Sequence, residues 1–205
     1  MSNRYKADGA QGESQLGSDG QVLANRLGIV DSDGIDEAEL LLLQQLYEAV
    51  LLEDLPDRKL VAADLFTWHR RWLGNLYDWA GQLRTVNVSK GGFLFANAEL
   101  IPKLLQEFER DCLGRFTPCD GLSGAALVEA IAVTHVEIVM IHPFREGNGR
   151  LSRLLADVMA VQAGHEPLDY SAWDADKEAY FSAIRAGQGN DYAPMRRLVG
   201  VALGY

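Results

Sequence analysis

Cysteine is scarce in this 205-residue chain: Cys112 and Cys119 are the only two, and they form no CxxC. Two thiols cannot staple a chain of this size, so free thiols in a reducing cytoplasm are expected and a disulfide framework is excluded. Excess positive charge is also missing. Nineteen Lys and Arg face twenty-nine Asp and Glu, for a formal charge of −10. Broad nucleic-acid or anionic-membrane surfaces need the opposite balance, so neither partner is expected and anion binding must be local. The opening MSNRYKADG has no apolar core, so no secretory signal is expected. Long uncharged runs are lacking too: the most apolar stretch, Ala125 to Ile141, is broken by Glu129, His135 and Glu137, and no membrane span is expected. No HExxH or paired CxxC supports a zinc site, and without GxxxxGK[ST], Lys90 is not a phosphate-loop lysine.

What is present is helical periodicity. Residues 1–20 are rich in Gly, Ser, Asp and Gln and are expected to be a mobile tail. From Gly34 onward, apolar residues recur at three- and four-residue intervals, behind an Asp/Gly cluster suited to an N-cap. Helices are predicted through Val50, over 62–76, 97–113, 123–141, 150–163 and 174–186, and from Asp191 to the end. The Trp68/Trp72 pair reads as core, and His69, His135 and His165 as structural histidines. Between the second and third helices, Gln82 to Ser89 alternates apolar and polar residues before Lys90-Gly91-Gly92-Phe93, which predicts a β-hairpin with an open strand edge. The expected fold is mainly α, one domain over 21–205 with a small β-hairpin.

The densest chemistry lies in His142-Pro-Phe-Arg-Glu-Gly-Asn-Gly-Arg-Leu-Ser-Arg153. Pro143 ends one helix, and Gly147-Asn148-Gly149 permits positive φ and close backbone approach. The next helix then presents unpaired N–H groups and the positive end of its dipole, which makes an anion nest. Arg150 and Arg153, three apart, share a face beside it and suit a row of phosphates. Glu146 is a hard oxygen ligand suited to Mg²⁺, and His142 accepts a proton near neutral pH. A surface helix–loop–helix turn explains any one of these residues but not the set. Phosphate cradle, metal carboxylate and base are the parts of phosphoryl or nucleotidyl transfer.

This stretch resembles the signature HPFx[D/E]GNGRxxR of the Fic family at every specified position. Leu23 to Ile29, Leu76 to Gly92 and the Gly164 turn also resemble family sequence, so the likeness runs from about Gln21 to the C-terminus. It implies a helical Fic domain carrying a hairpin flap, and transfer of AMP from ATP to a Ser, Thr or Tyr hydroxyl of a target protein. By the same resemblance His142 deprotonates the hydroxyl and Glu146 holds Mg²⁺. Gly147, Asn148 and Gly149 line the nest, and Arg150 and Arg153 bind the β- and γ-phosphates. The flap, Val86, Asn87, Val88, Ser89, Lys90, Gly91, Gly92 and Phe93, aligns the target segment by main-chain pairing. Two readings stand beside this one: a Fic transferase with another donor (UTP, GTP or a phosphocholine nucleotide), and a non-catalytic ATP-binding module.

Family members often carry an inhibitory [S/T]xxxE[G/N] helix. Here no Ser or Thr is followed four residues later by Glu. A small antitoxin supplying that Glu in trans is therefore the expected partner, and the resemblance points to type II topoisomerase subunits as targets.

Overall fold

The apolar stripe ahead of Val50 folds as α1, Ser32–Tyr47. It starts where Asp31, in extended backbone, accepts the Gly34 N–H, and it runs on into a π-helical stretch, Glu48–Glu53. The computed structural model describes residues 13–205 and the backbone of Lys6–Ala7. Helix α2 is Ala62–Leu73, three residues shorter than predicted. The predicted 97–113 helix is composite: a 3₁₀ turn at Ala98–Leu100, α3 at Ile101–Phe108, a π stretch at Glu109–Leu113, and one turn of α4 at Gly114–Phe116. Helices α5 (Gly124–Ile141) and α6 (Asn148–Gln162) match expectation. The predicted 174–186 helix is broken at Asp176 into α7 (Ser171–Ala175) and α8 (Lys177–Ala186), because Asp176 caps α8 by accepting the Ala179 N–H. Helix α9, Ala193–Ala202, closes the chain against α5 and α8.

Helix α5 corrects one expectation. By length and composition it is apolar enough to cross a membrane, Glu129 and Glu137 notwithstanding. Its apolarity has another cause. It is the central helix, packed on α6, α9, α3 and α8, and Ala130, Ile131, Ala132 and Val136 are fully buried. Both cysteines are buried free thiols.

The hairpin forms, but shorter and with more company than predicted. β2 (Val88–Lys90) and β3 (Phe93–Leu94) pair antiparallel, Lys90 opposite Phe93, across Gly91 and Gly92 at φ +56° and +79°. Positive φ at both positions is the turn that suits the twist of a two-residue hairpin. The alternating residues 82–87 are not strand. β1 (Lys6–Ala7) pairs antiparallel with β2, Lys6 opposite Ser89, so the sheet order is β1-β2-β3. The edge of β2 read as open is therefore occupied by the chain itself, and the outer edges among the described strands are those of β1 and β3. The rest of the expected tail is structured where described. Gln15 and Val22 are joined backbone to backbone, and Ser18 is buried with its hydroxyl on the Gln15 carbonyl. Residues 1–5 and 8–12 lie outside the described residues.

Candidate active site

Helix α5 ends on His142, which adopts left-handed backbone (φ +52°, ψ +60°) as its C-cap, with its N–H on the Ile138 carbonyl. A non-glycine residue there costs about 1–2 kcal/mol, so the surroundings must impose it. Pro143 supplies part of the reason, since it cannot continue the helix. The imidazole is buried. Its Nδ1 lies 3.1 Å from the Val139 carbonyl, so Nδ1 carries the proton and Nε2 is the basic nitrogen. Burial, with help from the charges of Arg84 and Lys90, pushes its pKa down to about 3, so the ring is neutral but a weaker base than the near-neutral proton acceptor expected from the sequence. Phe95, just past β3, stacks on it at 3.7 Å.

The loop after His142 is held from inside. Phe144 is fully buried and stacks on His69 of α2 at 4.0 Å. His69 accepts the Gly81 N–H at Nδ1 (2.8 Å) and donates from Nε2 to the Glu146 carbonyl (3.0 Å). The histidine read as structural thus pins the backbone of the metal-ligand candidate. Asn148 turns inward as well: its Oδ1 accepts the Phe144 N–H and its Nδ2 donates to the Phe144 carbonyl. Its side chain staples the loop, and Asn148, expected to line the nest, does not line the cleft as Gly147 and Gly149 do. Gly147 sits at φ +82° as N-cap of α6, where a Cβ would come within 2.7 Å of Trp72, so glycine is required on both counts.

The two arginines are pre-set. Arg150 lies over the Trp72 ring at 4.6 Å and pairs with Glu39 of α1 at 2.8 Å. Arg153 makes two bonds to Asp174 of α7 (2.7 and 3.3 Å) and lies over Tyr170 at 4.7 Å. Glu146 accepts the Gly147 N–H at Oε1, while its buried Oε2 has no hydrogen-bond partner among the described residues. A carboxylate oxygen held that way fits a hard divalent cation. No group of three His, Cys, Asp or Glu suited to a metal exists among the described residues, so most ligands of such an ion must come from substrate and water.

These groups share one cleft of about 900 Å³, lined by His142, Glu146, Gly147, Gly149, Arg150 and Arg153, with Lys90 and Phe95 of the flap across from them. The volume suits a nucleotide-sized ligand. Of the predicted flap residues, only Lys90 reaches the cleft; Val88 is buried, and Asn87 accepts the Ala98 N–H.

Two residues escaped the sequence reading. Glu39 is 1% exposed, accepts the Tyr77 hydroxyl at 2.6 Å and holds Arg150. Its signal was a carboxylate on the buried stripe between Ile35 and Leu46. Arg84 is equally buried, and alternation placed it on a polar strand face.

The chain as a whole is similar to known proteins. The model of the Fic/DOC family matches residues 59–160. A probable protein adenylyltransferase of Sinorhizobium fredii is 31% identical over 174 residues, covering 85% of this chain and 87% of that protein. A probable protein adenylyltransferase of Escherichia coli is 32% identical over 139 residues, 65% of each. The chain spans only 38% of the length of a Drosophila erecta protein adenylyltransferase, at 27% identity. Among solved structures, BepC of Bartonella tribocorum, with bound AMPPNP, superposes with a TM-score of 0.73 at 26% identity, covering 88% of this chain and 91% of that one. With a relative 31% identical over 85% of this chain and the family model matching residues 59–160, the chain belongs to the Fic/DOC family.

Proposed function

We propose that this protein is a protein adenylyltransferase, transferring AMP from ATP to a Ser, Thr or Tyr hydroxyl of a target protein. The observation that carries the reading is the buried His142 sharing one cleft with the α6 N-terminus and its two arginines. His142 Nε2 takes the proton as the target oxygen bonds to the α-phosphorus; the bond from that phosphorus to the bridging oxygen breaks, and pyrophosphate leaves. The backbone of Gly147 to Gly149 and the guanidinium groups of Arg150 and Arg153 balance the phosphate charge. Glu146 Oε2 would hold Mg²⁺, which when bound supplies charge neutralisation to the phosphates. Nucleotide-bound relatives support ATP as donor: BepC holds AMPPNP, and a Bartonella quintana Fic domain holds ADP.

Incubation with labelled ATP, Mg²⁺ and a bacterial lysate tests the proposal. Wild type is expected to label a protein band, and His142→Ala to lose about 10²–10⁴-fold in rate while keeping ATP affinity, because a base acts on the transition state. Near-normal transfer by the alanine variant would remove His142 from the role.

The missing intrachain [S/T]xxxE[G/N] supports restraint in trans by a small antitoxin whose Glu competes for Arg153, as a bidentate carboxylate–guanidinium pair does well. Type II topoisomerase subunits are the target class that the family resemblance suggests. Induced alone, the chain is expected to slow bacterial growth and its His142→Ala variant not to. Harmless expression of an active chain, with no inhibitor copurifying, counts against the toxin role and leaves the transferase reading standing.

A further inference from the structure

A buried arginine normally faces a carboxylate, because removing its charge from water is costly. Arg84, 1% exposed, is instead surrounded by main-chain carbonyls. Its Nε–H donates to the His142 carbonyl at 2.6 Å, and Nη1 donates to the Val86 carbonyl at 2.7 Å. Nη2 donates to the carbonyls of Ala96 and, at 3.3 Å, Ile141. Its own backbone N–H donates to the Pro143 carbonyl at 2.9 Å. One side chain therefore joins three segments: the foot of the flap that leads into β2, the foot that leads out of β3, and the end of α5. The carbonyls at a helix C-terminus have no intrahelical donors, and a cation there also meets the negative end of the dipole. The Ala96 N–H adds a bond to the Met140 carbonyl, so the outgoing foot is tied to α5 twice.

We propose that Arg84 is the positioning residue that locks flap and base into one unit: it holds the left-handed backbone of His142 and, through Ala96, the stacking of Phe95 on its ring. The proposal rests on the transferase reading for its consequence in activity, and on the carbonyl geometry for the rest. Only a guanidinium serves. Its planar fork reaches carbonyls on both sides at once, whereas an ammonium is a single point that cannot span the two feet and the helix end.

Arg84→Lys, which keeps the charge, and Arg84→Met are compared with wild type in three measurements: label transfer from ATP to lysate protein at saturating ATP, ATP affinity by calorimetry, and backbone hydrogen exchange. Displaced reacting groups cost rate more than ground-state binding, so the lysine variant is expected to lose about 10–100-fold in transfer rate with ATP affinity within about threefold of wild type. Exchange is expected to accelerate over 86–96 and at His142, and not in α6. Equal losses in rate and ATP affinity mean a merely structural arginine and overturn the proposal, as does unchanged flap exchange. If wild type transfers no label, the transferase reading fails and the exchange result alone decides on Arg84. Should both arginine variants fail to fold, Phe95→Ala, which leaves every carbonyl in place, must show the same loss of rate with ATP affinity kept. Full transfer by that variant overturns the proposal.

Discussion

At the scale of single residues, the cleft depends on side chains whose partners lie far away in sequence. Glu39 shows it: the carboxylate meets Arg150 and the Tyr77 hydroxyl, while its carbonyl accepts the Trp72 indole N–H. Glu39→Gln keeps the shape but removes the buried charge, leaving Arg150 to Trp72 and, at 3.8 Å, to the Glu146 carboxylate. A loss of about 1–3 kcal/mol is expected, read from urea unfolding. ATP affinity should move less than about tenfold, since the ring still orients the guanidinium. A variant as stable as wild type would show that Trp72 and Glu146 suffice to hold Arg150.

Among the elements, α7 matters more than its five residues suggest, because it carries the carboxylate opposite the second motif arginine. The Arg153–Asp174 pair is partly exposed, and burial of the arginine is offset by that carboxylate, which raises its pKa overall. Exposed pairs are worth about 0.2–1 kcal/mol, and a phosphate must displace this one or share the arginine with it. Asp174→Asn is therefore expected to tighten ATP binding by up to about fivefold, measured by calorimetry at low salt, with the gain shrinking as salt is added. Weaker binding instead would mean that Asp174 aims Arg153 at the phosphate rather than competing for it. The flap reads differently in the fold as well: β1 covers one edge of β2, so an added strand would have to pair with an outer edge of β1 or β3 rather than with β2.

For the whole molecule, the buried histidines set the acid limit of stability. Burial lowers the pKa of His69 and His135 to about 4 and of His142 to about 3. All three are neutral in the folded protein, while the unfolded chain takes up protons near 6.5. The unfolded state then binds more protons below that value, so stability falls as pH drops from about 6.5 toward 4, by up to about 1.4 kcal/mol per histidine per pH unit. Asp157 works in the opposite sense: burial raises its pKa to about 6, so the folded state gains a proton first. Three histidines outweigh one carboxyl, and the urea midpoint is expected to decline between pH 6.5 and 4. His135→Gln should flatten that slope, and an unchanged slope would show that His135 titrates normally.

Local chemistry was legible from the chain alone. Proline and glycine placement marked the ends of α5 and α6, apolar spacing marked the helices, and the Gly pair marked the turn between β2 and β3, because each of these acts within a few residues of itself. The family signature read the same way, since its loop is contiguous. What spacing could not reveal is which polar side chains turn inward. Asn148 staples Phe144 instead of facing phosphate, His69 holds Glu146, Glu39 backs Arg150, and Arg84 sits among carbonyls. Their partners are up to 111 residues away, as with Glu39 and Arg150, and a buried polar group is stable only where its partners converge. That convergence exists in no segment of the chain. It arises when α1, α2 and the flap pack around the end of α5 and the start of α6, so the residues of the site were readable in order, and their supports only in space.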